Sequence, residues 1–532
     1  MSLVEMPGAQ LPAVGAVLEL TVGEVAAGGC CAARQEPGGP VIFVRHALPG
    51  ERVRVRVTQA TSRLARADAI EIRQASPDRV APPCPHARPG GCGGCDWQHA
   101  SLPAQRSLKA EVIRQQMRRI AGLDCAVTVE SLEGDDDTGG NTGNVGDGDG
   151  AAGDGGAAGD DRAAGDGSAA GDGSAADGGS AAGLGWRTRV RFAVRHDGRT
   201  GLRKHRSHDI IDVGACPIAH PLVTETAVTR RRWPGAKSVE VLVAVASGER
   251  AVVVTGPPAR WNSGARPAAQ AIGADTVLAA GTTGRLVSLR GRGYLTEGAA
   301  GRSWRVSAGT FWQVHPAAAD ALAAAVLGML APLPGDRALD LYCGAGLFAG
   351  VLADAVGPDG GVVGVEENAA AVRDARHNLR ATPWAQVHRG DVAAVLAQGG
   401  LSGASLAVLD PPRTGLPRAV IDLLRGVPGA GTDAGGTGAA GAGAASTDGD
   451  RTAGGLRRIA YVSCDPATLA RDLVAFRAAG WRLAELRAFD AFPMTHHVEC
   501  LAALVPDVGN PDAAAPVAGA PAAPAAETEK AG

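Results

Sequence analysis

Ten cysteines punctuate this chain of 532 residues, and five of them stand where their spacing or setting suggests chemistry. The first is the lone thiol of "YVSCDP", Cys464, where a short apolar run gives way to Asp-Pro. Asp465 is a natural helix N-cap and Pro466 a natural first helical residue. Cys464 is therefore expected at the positive end of a helix, where the thiolate is favoured and the pKa falls below about 8.5. A plain buried cysteine is the alternative. Methylation of a pyrimidine ring is one reaction that needs such a thiolate. Carbon 5 of uracil is too poor a nucleophile to attack a methyl sulfonium, but adding a thiolate to carbon 6 puts electron density on carbon 5. A base must then remove the carbon-5 proton before the thiol can leave. "FDAFPMTHHVECLAAL" offers His496, His497 and Glu499 for that step, with Glu499 near the start of the last expected strand.

The other four are Cys84, Cys92 and Cys95 of "CPHARPGGCGGC" and Cys216 of "DVGACPIAH". C-x7-C-x2-C with one distant cysteine suits zinc or an iron–sulfur cluster, since both accept four thiolates. The glycines of "CGGC" let the backbone wrap closely round such a site. Cys30, Cys31, Cys125, Cys343 and Cys500 read as packing.

These residues need a frame. From about residue 336 apolar strands alternate with helical segments: "RALDLYCGAG", "GVVGVEEN", "AQVHRGD", "LAVLDPP", "RRIAYVSCDP" and "LAELRAFDAF". This is the α/β pattern of a doubly wound, mainly parallel sheet. A strand enters the Gly-rich turn "CGAG" and leaves as a helix, which admits a ligand to the backbone. Glu366 ends the second strand, placed to accept from ribose hydroxyls; Asp391 follows the third and Asp410 the fourth. Together they suit S-adenosylmethionine, with a nicotinamide cofactor as the competitor, although the full G-x-G-x-x-G fingerprint is absent. Upstream, residues 12–75 contain several short strands split by Gly/Pro turns, among them "ERVRVRVTQA", and read as a small β-barrel of the oligonucleotide-binding kind. "WRTRVRFAVRHDGRTGLRKHRSHDI" (186–210) reads as a hairpin with Arg187, Arg189, Arg191 and Arg195 on one face, fit for tracking phosphates or simply solvated.

The net charge of −3 conceals a basic protein. Residues 134–183 hold eleven Asp and one Arg; without that local −10 the rest of the chain is +7. That passage, residues 429–455 and the tail from 506 are Gly/Ala-rich or Ala/Pro-rich and are expected to be disordered. Of 52 cationic residues 48 are Arg, a bias that favours phosphate contact or reflects a GC-rich genome. No run approaches the ~20 apolar residues of a membrane span, and no secretion signal is visible. A cytoplasmic protein without a disulfide scaffold is expected.

Taken in order, "ALPGERVRVRV", "FWQVHP", "LDLYCGAG", "VGVE", "LDPPRTG", "YVSCDP" and "FPMTHHVE" resemble the bacterial class I RNA (uracil-5-)-methyltransferases, several of which carry an N-terminal TRAM domain. The resemblance implies a Rossmann-like methyltransferase domain over 301–505, a TRAM barrel over 12–75 and a central α+β iron–sulfur domain over 76–300. It implies Cys464 as nucleophile and Glu499 as proton acceptor, with Gln313, Tyr342, Glu366, Asp391 and Asp410 lining the pocket for S-adenosylmethionine and the base. Phe311 or Phe492 would stack on that base. Members with a [4Fe–4S] cluster have a similar C-x5-C-G-G-C and one remote cysteine, so Cys84, Cys92, Cys95 and Cys216 would bind a cluster in preference to zinc. Two departures stand out: the first cysteine gap is two residues longer, and Leu347 replaces the Asn frequent in "CGxGN". The expected partner is RNA, 23S ribosomal before transfer RNA, met by a monomer. The rivals are an amino-group RNA methyltransferase using "LDPP", for which Cys464 is dispensable, and a non-catalytic RNA-binding iron–sulfur protein.

Overall fold

The structure, a computed structural model, describes residues 11–135, 182–257, 269, 272–281, 284–398, 403–425 and 455–507. The three low-complexity passages lie outside the described residues apart from their ends. Among the described residues no helix is long and apolar enough to cross a membrane.

Alternation of valine and arginine closes the first unit. Val53, Val55 and Val57 are at most 1% exposed while Arg52 and Arg56 face solvent. Strand Arg52–Ala60 joins Val17–Ala26, Cys30–Ala33, Ile42–Arg45 and Ala65–Gln74 in a closed barrel. Cys30–Ala33 carried no strand pattern of its own. It forms because Gly28 and Gly29, with φ of 86° and 72°, turn the chain back on Val17–Ala26.

The expected basic hairpin forms, with Ala193 opposite Gly201 and Val194 opposite Thr200. It lies in a seven-stranded sheet beside Ser238–Ala244. Val190 and Phe192 enter the core and Arg191 faces out. Its charge is less available than the spacing suggested. Glu240 on the next strand binds both Arg189 and Arg191 at 3.0 Å, and Arg195 pairs with Asp197 at 3.6 Å.

The third layer is an eight-stranded sheet in the order Ala385–Arg389, Gly361–Glu366, Arg337–Leu341, Leu406–Leu409, Arg458–Ser463, Glu499–Pro506, Trp481–Phe489, Val129–Glu130. The first five are parallel; Arg337–Leu341, Leu406–Leu409 and Arg458–Ser463 in the middle are largely apolar and buried on both faces, as strands covered by helices must be, whereas the edge strand Ala385–Arg389 exposes Gln386, His388 and Arg389. Glu499–Pro506 runs antiparallel between its neighbours. Val129–Glu130 pairs with Ala488 and Phe489, and Ala110, Ile113 and Met117 of helix Leu102–Gln116 join the same core. The helix thus bridges two units, since its Ala104 and Val112 pack in the core of the barrel.

Candidate active site

Strand register brings the two proposed catalytic groups together. Ser463 pairs with Cys500 across antiparallel strands. Cys464 follows just past the end of that strand, near enough to Glu499, the first residue of the other, for the carboxylate to act on the thiol. Asp465 caps helix Pro466–Ala478 and accepts from the Thr468 amide at 2.8 Å, as the sequence anticipated. The thiol does not behave as expected, however. Burial, followed by the neighbouring Glu499 and Asp410 carboxylates, raises its pKa to about 11 against the opposing pull of Arg413. Desolvation and like charge outweigh the helix end. Glu499, 5% exposed, is raised well above the carboxylate range by burial and Asp410, again opposed by Arg413.

Arg413 is the site residue that motif reading missed, although "LDPPRTG" contains it. Its loop is tied to helix Pro466–Ala478 and the strand before it. The Asp472 carboxylate accepts from the Leu416 amide at 2.8 Å and the Tyr461 hydroxyl at 2.7 Å, and Thr468 Oγ1 donates to the Arg413 carbonyl at 3.2 Å. Gly415 takes φ 80°, and a Cβ there would meet Asp472 Oδ2 at 2.4 Å, so only glycine lets the loop lie this close. A cavity of about 340 Å³ runs from Cys464, Arg413, His496 and His497 to the Gly28–Gly29 turn of the barrel.

The cofactor residues line the same sheet edge. Amides of Tyr342 and Cys343 donate to the Val365 carbonyl at 2.9 and 3.0 Å, folding the Gly-rich turn over the end of Gly361–Glu366. Glu366 accepts from Gly344 at 3.0 Å and from Asn368 at 2.7 Å. Asp391 caps helix Val392–Ala397, and its charge helps raise Tyr342, whose pKa burial lifts to about 12. The Asp410 amide donates to Leu341, and burial raises the carboxyl to about 7. Gln313 enters from a different element, buried on the wall of a cavity of about 20 Å³ with Thr188, Leu242 and Trp312. Leu347 is 7% exposed and packs in the core, so its apolar side chain serves the fold. Phe311 is 62% exposed, whereas Phe492 packs edge-on against Trp186 and His497.

This edge fits S-adenosylmethionine. A Cβ at Gly344 would meet nothing within 4 Å, leaving room over the turn. Asp340, fully buried, accepts from Ala349 at 2.6 Å through one oxygen while the other has no partner. Burial, then Asp410 and Glu366, raise it to about 8 against the Ala349 hydrogen bond. So many carboxyl groups at one edge suit a ligand bearing a sulfonium charge.

The four other cysteines also converge. Cys84, Cys92, Cys95 and Cys216 line one cavity of about 310 Å³ together with Arg187, Arg191, Arg203 and Lys204. The Gly93 amide donates to Arg203 at 3.1 Å, and a Cβ on Gly93 would meet His205 Cα at 2.6 Å, so "CGGC" lies directly on the basic hairpin. Burial raises the Cys92, Cys95 and Cys216 thiols. Among the described residues no three Cys, His, Asp or Glu side chains form a group that would hold a metal ion directly. The remaining five cysteines are buried.

A glycine-rich turn after the first parallel strand, acids closing the next three and an antiparallel final strand define an S-adenosylmethionine-dependent methyltransferase. Comparison with known proteins narrows the class. A TRAM domain model matches residues 13–70, a tRNA (uracil-5-)-methyltransferase model residues 450–505, and a protein-L-isoaspartate(D-aspartate) O-methyltransferase model residues 303–402. An uncharacterized RNA methyltransferase of Streptomyces avermitilis is 44% identical over 502 residues, covering 93% of this chain and 99% of its own. The 23S rRNA (uracil(1939)-C(5))-methyltransferase RlmD of Shewanella piezotolerans is 26% identical, covering 87% and 90%. The tRNA (uracil-54, C5)-methyltransferase of Pyrococcus abyssi, solved with S-adenosyl-L-homocysteine, shares the fold with a TM-score of 0.59 at 20% identity, over 91% of this chain and 99% of that one. The chain belongs to the RNA (uracil-5-)-methyltransferase family that carries an N-terminal TRAM domain.

Proposed function

We propose that this enzyme methylates carbon 5 of one uridine in 23S ribosomal RNA through a covalent bond between Cys464 and the base. The adjacency of Cys464, Glu499 and Arg413 carries this reading. S-adenosylmethionine, held at Tyr342, Glu366, Asp391 and Asp410 with Gln313 nearby, supplies an electrophilic methyl group. Arg413 favours the Cys464 thiolate, which adds to carbon 6 and makes carbon 5 nucleophilic toward that methyl group. Glu499 then accepts the carbon-5 proton; its electron pair re-forms the ring double bond, the carbon–sulfur bond breaks and Cys464 departs. The raised basicity of Glu499 suits it to take a proton from carbon. A uridine must leave its stack to reach a partly buried thiol, so the target is flipped or unpaired. The ribosomal assignment follows the RlmD relative, which aligns over most of both chains.

In the same reading Cys84, Cys92, Cys95 and Cys216 hold a [4Fe–4S] cluster. Four thiols lining one cavity of about 310 Å³ leave room for a group bulkier than a single ion. The cationic rim suits a cluster whose thiolate ligands bring negative charge. The protein works as a single chain in the cytoplasm. Mapping the 5-methyluridines of ribosomal RNA from a deletion strain tests the substrate. One missing 23S position, restored by the wild-type gene and not by Cys464→Ser, is expected; an unchanged 23S map with a loss in transfer RNA would reverse the assignment.

A further inference from the structure

Strand Trp481–Phe489 and strand Glu499–Pro506 are joined by residues 490–498, a connection that leads directly into Glu499. It is pinned almost entirely from one direction, by the stretch from Asp96 to Lys109 that follows the last cysteine of "CGGC". The buried Lys109 ammonium pairs with Asp490 and donates to the Phe492 carbonyl at 3.0 Å. The Gln105 side chain, 0% exposed, accepts from the Met494 amide at 2.7 Å and donates to the Ala100 carbonyl at 2.9 Å. The amides of Asp96 and Trp97 donate to the Met494 carbonyl at 3.0 and 3.1 Å. The Asp96 carboxylate binds the His496 ring at 2.5 Å and its amide at 3.3 Å. Met494 itself sits at φ 67°, a left-handed conformation that a side chain disfavours and that these bonds hold.

This is more polar machinery than stability calls for. A buried lysine–carboxylate pair gains little over well-packed apolar residues, and Asp490 Oδ2 even lacks a partner. The cost makes sense if the loop must occupy one conformation. The structure assigns Gln105 and Lys109 the part of positioning residues for methyl transfer: they fix the 490–498 loop so that Glu499 faces the carbon-5 proton. Cys95 adjoins Asp96, so "CGGC" leads directly into the stretch that braces the catalytic loop. This inference rests on the covalent reading proposed above.

Two variants test it: Gln105→Met, which keeps volume and removes the acceptor for Met494, and Lys109→Met/Asp490→Asn, which removes the ion pair without stranding a carboxylate. Each is assayed with ordinary uridine-containing RNA by RNA binding, turnover and a denaturing gel that retains protein–RNA adducts. If Glu499 is mispositioned, proton removal slows, and the methylated adduct waits on Cys464. We expect RNA affinity within about twofold of wild type, kcat lower by ~10–100-fold and a clear rise in adduct at steady state. Wild-type turnover, or turnover and RNA affinity falling together without adduct, overturns the positioning role. Wild-type enzyme with 5-fluorouridine RNA is run alongside: no adduct there defeats the covalent reading itself, whereas wild-type trapping with no adduct rise in either variant defeats only this inference.

Discussion

The sheet-edge site and the four-cysteine cavity are built in opposite ways. Cys464 follows one hydrogen-bonded strand and Glu499 opens its antiparallel neighbour, so backbone register brings them close together. Cys84, Cys92, Cys95 and Cys216 hang on turns and reach a shared cavity without closing on one point. Strand ends are placed by the whole core. Turns are placed by few contacts and gain definition from what they bind. The fold itself thus brings the reactive groups together in the first region, whereas in the second the proposed cluster would draw the four thiols onto one ligand.

Three perturbations separate the regions. The largest effect is expected from Cys464→Ser, which should cut methylation by at least ~10³-fold while thermal unfolding stays near wild type; retained turnover would favour amino-group transfer. Next is Cys95→Ala. Iron content and visible absorbance of anaerobically purified protein should fall, with a loss of several kcal/mol of stability, whereas a colourless wild type containing zinc would remove the cluster. The smallest effect concerns pH. With the free thiol near 11, the rate of adduct formation should climb several-fold per pH unit from 6.5 to 8.5. The climb falls short of tenfold because Asp410, near 7, ionises in the same range and pushes the thiol further up. A rate already flat above pH 6.5 would mean that the helix end prevails over burial.

Much of this was legible in the residues. The barrel, the hairpin, the parallel strands, the Asp465 cap and the place of Glu499 follow from local signals: period-two alternation, Asp-Gly at a turn, Asp-Pro at a helix start. What escaped depends on neighbours distant in the chain. The rise in the Cys464 pKa comes from Glu499 and Asp410 as well as burial. The neutralised arginines depend on Glu240, about fifty residues downstream of Arg189 and Arg191. Arg413 lay inside a quoted motif, yet its part emerges only once its loop packs beside the thiol. The brace on residues 490–498 joins segments nearly four hundred positions apart, which no periodicity reveals.

The most direct measurement is to incubate the enzyme with S-adenosylmethionine and RNA carrying 5-fluorouridine, digest the product and identify the modified peptide by mass. Fluorine cannot leave as a proton, so the methylated base should remain bonded to the peptide containing Cys464. An enzyme that methylates ordinary RNA yet yields no such peptide, or one modified at another residue, would contradict covalent catalysis by this thiol.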